Sequence, residues 1–180
     1  MDIRHLTPAD YRTSCWSGGT TTEIFIWPAD ADYAARCFAV RISSATVELE
    51  ESDFTALPGV TRYIVPLVGG FTLTHPEGQP ITMEPLDAPY RFSGEIPTHC
   101  VGKATDFNLM LKGTEGIMDI CREHAPILPG VTCLYAPCGG SITLNGTEYA
   151  LSAGDCLQIF ARETDTAVLT APIIRCHANI

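Results

Sequence analysis

The pentapeptide LPGVT occurs twice in this chain, at residues 57–61 and again 71 positions later at residues 128–132. The two copies stay in register as far as residues 73 and 144, with a proline, a glycine and a Thr-Leu pair at the same offsets. Nine of the 17 aligned positions are identical. A register kept across Gly and Pro positions is typical of one supersecondary unit used twice. The sequence therefore predicts a duplicated fold.

Composition narrows the class of protein. The chain has 180 residues, 46% of them hydrophobic, and this is enough to bury a full core. Its 13 prolines and 15 glycines favour many short strands over long helices. The net charge of −10 would repel a phosphate backbone, so nucleic acid is not expected as a partner. No signal-like or membrane-length apolar run is present, and we expect a cytoplasmic protein with no membrane role.

Eight cysteines occur with no Cys-x-x-Cys pair among them. Paired spacings of that kind are what zinc sites and redox motifs need, and a disulfide framework is typical of exported chains. The spacing therefore favours buried, reduced thiols.

Alternating residues predict several strands. Residues 20–27 are β-prone, and residues 106–112 place Phe, Leu and Leu on one face and Asp, Asn and Met on the other. Asn145-Gly146 predicts a type I′ hairpin turn. Residues 114–124 fit either a strand or a helical turn, and the acidic residues between 48 and 53 fit a solvated turn.

These patterns predict an all-β protein with very little helix, built as two antiparallel barrel-like halves in one compact unit. We expect the halves to cover residues 1–112 and 113–180. The N-terminal segment, which begins with one short turn near Thr7-Pro8, is free to pack on the second half.

Part of the second copy resembles the cupin barrel. Gly146, Ser152, Gly154 and Asp155 match the spacing of the second cupin half-motif, Gly-x5-Pro-x-Gly-x2-His-x3-Asn. The position of the histidine ligand is Leu157. In the first copy, counting back from the half-motif glycine places Arg62 where the cupin glutamate ligand belongs. The resemblance implies a duplicated cupin, or bicupin, without its metal ligands.

Five further stretches resemble the HutD/Ves family of bacterial bicupins: residues 16–24, 41–45, 57–62, 92–94 and 106–110. They occur in the order expected for that family. The opening motif is shorter than usual and has Ser17 near the usual asparagine. The resemblance implies a jelly-roll bicupin linked to histidine utilisation or to the stress response. It implies a small-molecule pocket more than a particular reaction.

Two arginines are the leading candidates for ligand binding. Arg41 shares a strand face with Ala39, Ser43 and Ala45, and these small residues leave room beside its guanidinium. Arg62 stands at the cupin glutamate position, where a cation can hold an anion in place of a metal. A guanidinium presents a fixed fork to a carboxylate. The alternative is that each arginine has only a structural role at a strand edge.

Other candidates follow from shared strand faces and from the family motifs. Asp106 and Asn108 alternate on one face, where they would line a pocket or, alternatively, face solvent. Thr21 and Glu23 share a second face, and Glu23 fits either an ion pair with arginine or a solvated carboxylate. Trp16 and Phe92 are expected to wall a pocket or to belong to the core. The predicted ligand-binding set is Trp16, Thr21, Glu23, Arg41, Arg62, Phe92, Asp106 and Asn108.

No metal and no other cofactor are expected, because the five histidines fall outside both cupin ligand positions and form no His-x-His pair. No catalytic residue is assigned. The first hypothesis is a metal-independent regulatory protein, monomeric or homodimeric, that binds a small organic acid. The alternative is a metal-independent isomerase or lyase that uses Glu23, Asp106 or His75 as acid or base. A sensor acting through a separate DNA-binding partner is a third possibility.

Overall fold

The computed structural model describes residues 1–180 and is almost entirely β, with 19 strands and one 3₁₀ turn at Pro8–Asp10. The all-β class and the short N-terminal turn are confirmed. No helix in the structure has the length and apolar character needed to cross a lipid bilayer. The chain divides into a central unit, Arg12–Gly113, and a terminal unit that combines Met1–Tyr11 with Thr114–Ile180.

In chain order the strands are β1 (Asp2–Leu6), β2 (Arg12–Trp16), β3 (Gly19–Trp27), β4 (Val40–Val47), β5 (Glu51–Asp53), β6 (Val60–Val68), β7 (Phe71–Thr74), β8 (Ile81–Met83), β9 (Tyr90–Ser93), β10 (His99–Val101), β11 (Ala104–Lys112), β12 (Gly116–Cys121), β13 (His124–Ile127), β14 (Gly130–Tyr135), β15 (Gly140–Leu144), β16 (Thr147–Leu151), β17 (Cys156–Ala161), β18 (Asp165–Leu169) and β19 (Ile173–Ala178).

Each unit contains two antiparallel sheets. The central unit has the orders β2-β3-β4-β11-β6-β9 and β5-β10-β7-β8. The terminal unit has the orders β1-β17-β14-β19-β12 and β13-β18-β15-β16. The first eleven residues belong to the terminal unit, in which β1 pairs with β17 along its whole length.

Each unit also has its own apolar core. In the central unit Phe71 and Leu73 are buried in one cluster, and in the terminal unit their counterparts Ile142 and Leu144 are buried in another. The equivalence seen in the sequence repeat therefore extends to which side chains enter the core at β7 and β15.

In the preceding strands, β6 and β14, aligned residues of the repeat no longer point to the same side of the sheet. Ile64 enters the central core, but Leu134 enters the terminal core, although the repeat aligns Ile64 with Tyr135. Since successive strand residues point to opposite faces, a shift of one residue exchanges the two faces. Arg62 lies on the Ile64 face of β6, whereas its aligned partner Cys133 lies on the face of β14 opposite to Leu134.

The structure shows the conformation of residues 114–124, of the acidic run and of the expected hairpin turn. Residues 114–124 contain β12 and the start of β13 and no helix. The acidic run was wrongly expected to be a turn only, since Glu51–Asp53 forms β5 against β10. The Asn145-Gly146 hairpin is confirmed, with φ of 51° and 74° between β15 and β16.

Gly19 provides a test of how β3 is held against β4. Its φ is +150°, and a Cβ atom there would lie 1.8 Å from the Thr46 carbonyl oxygen. We expect Gly19→Ala to lower the free energy of unfolding by about 2–4 kcal/mol, measured by urea denaturation, because the strand backbones must separate.

Gly146→Ala is the matched control, because Gly146 also has a positive φ but no atom lies within 4 Å of the added Cβ. It should lower the free energy of unfolding by only about 1–2 kcal/mol. Equal losses in the two variants would contradict the steric explanation.

Candidate functional site

The central unit contains a cavity of about 350 Å³ that is partly open to solvent, at the lower end of the range for small-molecule sites. Its wall is formed by alternate residues of β4 and β11 together with Arg62 of β6, and by residues of β2, β3, β5 and two connections. The lining residues are Ser14, Trp16, Thr21, Tyr33, Arg41, Ser43, Ala45, Val47, Ser52, Asp53, Phe54, Thr55, Arg62, Asp106, Asn108 and Met110.

Arg41 is fixed in this wall by three contacts. Its Nε donates to Glu23 Oε2 at 2.8 Å, and its Nη1 donates to Ser43 Oγ at 3.0 Å. Its Cζ lies 3.9 Å from the centroid of the Tyr33 ring. The Glu23 carboxylate balances the charge of Arg41. The two hydrogen bonds use two of the five N–H donors of the guanidinium. Arg41 is therefore oriented but still has a donor for a ligand.

Arg62 is held less completely. Its Nη2 donates to Asn108 Oδ1 at 3.1 Å, and its Cζ lies 4.7 Å from the ring centroid of Phe54 and 5.2 Å from that of Phe92. Its Nε is buried and has no hydrogen-bond partner. Burial lowers the pKa of Arg62, and the nearby Asp106 charge opposes that shift. A buried unpaired donor costs about 1–3 kcal/mol, so a ligand acceptor at this atom would be favoured.

Asp106 shares the cavity with Arg62 but makes no ion pair. It accepts a hydrogen bond from Asn108 Nδ2, so Asn108 connects the carboxyl group to the guanidinium. Burial raises the pKa of Asp106 to about 7, and the Arg62 charge and hydrogen bonds from the Ala45 amide and Asn108 only partly oppose this. Near neutral pH the carboxyl group is therefore present in both the protonated and the ionised form.

The structure brings the predicted residues together around one cavity. Six of the eight line it directly, and the other two lie behind them. Glu23 supports Arg41, and Phe92 supports Arg62. Trp16 belongs to the lining with 42% of its surface exposed. Whether these residues bind a ligand stays a prediction.

His75 does not line the cavity. It contacts the Tyr90 hydroxyl through Nε2 at 3.1 Å and the Thr98 hydroxyl through Nδ1 at 3.2 Å. Its ring also packs against the Phe92 ring at 5.5 Å. His75 therefore supports the aromatic group beside Arg62 and has no direct access to a ligand in the cavity.

Sequence reasoning missed Tyr33 and Phe54, two of the three aromatic rings that face the guanidinium groups of Arg41 and Arg62. Tyr33 lies in the connection between β3 and β4, and its ring also receives Arg36 at 4.4 Å. Phe54 directly follows the acidic strand β5. The sequence carried little signal for them, because both connections contain other apolar residues, including Phe38 and Leu57 of a core cluster.

The lining does not fit a metal ion. No group of three or more His, Cys, Asp or Glu side chains is placed to hold one. The buried polar residues of the lining are Arg41, Ser43, Arg62, Asp106 and Asn108. The two guanidiniums only donate hydrogen bonds, and the single carboxyl group has a raised pKa. Divalent ions need several converging oxygen, nitrogen or sulfur ligands, and the lining does not provide such a set.

The family model named HutD matches residues 8–174 of the chain. The chain belongs to the HutD family. No curated protein sequence matches it significantly. Among solved structures, it is similar to HutD from Pseudomonas fluorescens SBW25, described as a formate condition, with 21% identity and a TM-score of 0.81. The match covers 99% of this chain and 98% of that one.

Two other solved structures are similar to this HutD-family chain. A conserved protein of unknown function, PA5104, from Pseudomonas aeruginosa PAO1 has 24% identity, a TM-score of 0.81 and coverage of 99% and 98%. The bacterial pirin YhhW from Escherichia coli, in complex with nickel(II), has 10% identity, a TM-score of 0.62 and coverage of 99% of each chain. These likenesses confirm the bicupin fold class expected from the sequence.

The raised pKa of Asp106 predicts a specific dependence of stability on pH. The folded state binds a proton that the unfolded chain releases above about pH 4, so stability falls as pH rises from about 4 to 7. We expect Asp106→Asn to remove this fall and to raise the free energy of unfolding at pH 8 by about 1–2 kcal/mol. Urea denaturation at several pH values measures it.

Asp155→Asn is the control, since Asp155 is also a buried carboxyl group but lies 2.9 Å from His5 Nε2. It should not raise stability at pH 8. A loss of stability in Asp106→Asn that is the same at pH 4 and pH 8 would contradict the assignment.

Proposed function

We propose that the central-unit cavity binds a small carboxylate metabolite without a metal, and that this binding is regulatory. The observation that carries the proposal is Arg62, which lines the cavity beside Arg41, forms no ion pair and has a buried Nε without a hydrogen-bond partner. Guanidinium groups bind carboxylates through parallel N–H donors, and such bonds are stronger than neutral ones.

The charges in the cavity also support an anionic ligand. Arg41 is balanced by Glu23 at 2.8 Å, but no carboxylate forms an ion pair with Arg62. Because Asp106 is only partly ionised near neutral pH, positive charge remains at Arg62. An anion small enough for the cavity would remove this imbalance and supply the missing acceptor.

Family membership suggests the biological setting. The similar HutD structure from Pseudomonas fluorescens is described as a formate condition, and formate is the smallest carboxylate. The family name links the chain to histidine utilisation, and we propose that its ligand is a carboxylate of that breakdown route. A role in the stress response, a cytoplasmic location and a monomeric or homodimeric state belong to the same proposal.

Isothermal titration calorimetry with formate, acetate and urocanate at pH 6 tests the proposal. At least one of these acids should bind the wild-type protein. Arg62→Met should weaken that binding about 10- to 100-fold, because it removes a charged hydrogen-bond donor while keeping most of the side-chain volume.

Arg91→Gln is the matched control. Arg91 pairs with Tyr63, so its exposed side chain lies on the strand face opposite to Arg62. This variant should bind like the wild type. Failure of every acid to bind, or equal affinities in the Arg62 and Arg91 variants, would refute the proposed site.

A second candidate function, a metal-independent isomerase or lyase, is favoured by one observation. Asp106 lies in the cavity with a pKa raised to about 7, which suits a general acid or base. Glu23 is paired with Arg41 and His75 lies outside the lining, so Asp106 is the remaining acid–base candidate. Turnover of a bound acid, observed by NMR and lost in Asp106→Asn, would favour this function over simple binding.

A further inference from the structure

Asp106 is a buried carboxyl group placed beside an anion site. Only 6% of its surface is exposed, and no cationic group lies within 4.0 Å of it, although Arg62 shares the cavity. The two side chains are joined only through Asn108, which accepts from Arg62 and donates to Asp106. An isolated carboxylate in such surroundings is costly, and the neutral acid is the less costly form.

We propose that the cavity takes up its carboxylate ligand together with one proton, which Asp106 holds while the ligand is bound. This inference rests on the proposed function, since it requires that an anion bind to Arg62. An anion at Arg62 uses the positive charge that otherwise favours ionised Asp106, and it places a second negative charge in the same cavity. Both effects favour the protonated form of Asp106.

Among the titratable groups around the cavity, Asp106 is the one whose ionisation changes when an anion binds. Arg62 of β6 has no ion pair, and Arg41 of β4 is paired with Glu23 of β3. Burial and the charge of Asp106 raise the pKa of the Cys100 thiol of β10 to about 11, so this thiol stays neutral. Burial likewise raises the pKa of Asp106 to about 7, which places its change of ionisation near neutral pH.

Three further titratable groups, Tyr33, Asp53 and His99, lie at or near the cavity. Tyr33 packs its ring on Arg41, and Asp53 lines the cavity with an exposed carboxylate that is 2.8 Å from His99 Nδ1. The hydrogen bond to Asp53 raises the pKa of His99, so His99 is the one other group whose titration must be separated from that of Asp106.

The charge balance defines the class of ligand. With one monoanion bound, Arg41 is balanced by Glu23, Arg62 is balanced by the ligand, and protonated Asp106 is neutral. A second carboxylate on the ligand would remain unbalanced in a cavity of about 350 Å³. The cavity should therefore select singly charged carboxylates over dicarboxylates of the same length.

Calorimetric titration of formate at pH 7.5, in buffers that differ in ionisation enthalpy, measures the proton uptake. We expect about 0.5–1 proton taken up per formate bound, and an affinity that falls about tenfold or more between pH 6 and pH 8.5. Asp106→Asn should bind formate with no proton uptake and with an affinity that does not change over this range. His99→Gln, the control, should behave like the wild type.

A second experiment compares the binding of butyrate and succinate, which have the same chain length and differ in charge. Butyrate should bind at least about tenfold more tightly than succinate at pH 7.5. Formate binding without proton uptake, uptake that persists in Asp106→Asn, or equal affinities for butyrate and succinate would overturn this inference and leave the binding site intact. A lack of binding by the wild type at every pH would overturn the proposed function as well.

Discussion

The burial of two guanidinium groups in the wall of one antiparallel sheet is the constraint on which the central unit depends. Arg41 and Arg62 are each only 6% exposed, and a buried cation is stable only where its charge and its donors are satisfied. Arg41 meets this condition through Glu23 and Ser43. Arg62 meets it only in part, because two rings and one amide surround it and Nε has no acceptor.

The terminal unit also contains a buried arginine, Arg175, and the hydrogen-bond donors of this arginine have acceptors in the protein. Arg175 is also buried, and its Nε and Nη2 donate to the two oxygens of Asp119 at 2.8 and 2.6 Å. Its Nη1 donates to the Pro126 carbonyl oxygen at 3.0 Å. Each of its three nitrogens therefore has an acceptor, and the core beside it is filled with apolar side chains. The contrast with Arg62 supports a structural role for Arg175 and a binding role for Arg62.

Strand alternation and the family motifs allowed much of the site to be predicted from the sequence. Asp106 and Asn108 share one face of β11, so their common destination follows from the period of two residues. Arg62 lines the cavity, whereas Cys133, its aligned partner in the repeat, lies on the opposite face of its strand. A register shift between Thr105 and Asp106 in the β6–β11 ladder accompanies this change of phase, and such irregularities leave little trace in a sequence.

Contacts made by connections were beyond prediction. Tyr33 and Phe54 reach the arginines from segments outside the regular strands, and their positions depend on tertiary packing of the connections. The raised pKa of Asp106 could not be predicted either, because it depends on the burial of the side chain and on the absence of a direct ion pair. Residue type and spacing carry neither kind of information.

A crystal structure of the protein grown in acetate tests the central claim most directly. We expect difference density for one acetate in the central cavity, with a carboxylate oxygen within about 3.2 Å of a guanidinium nitrogen of Arg62. A cavity that holds only water, while acetate occupies exposed arginines such as Arg91, would contradict it, as would an Arg62 Nε already bonded to a protein acceptor.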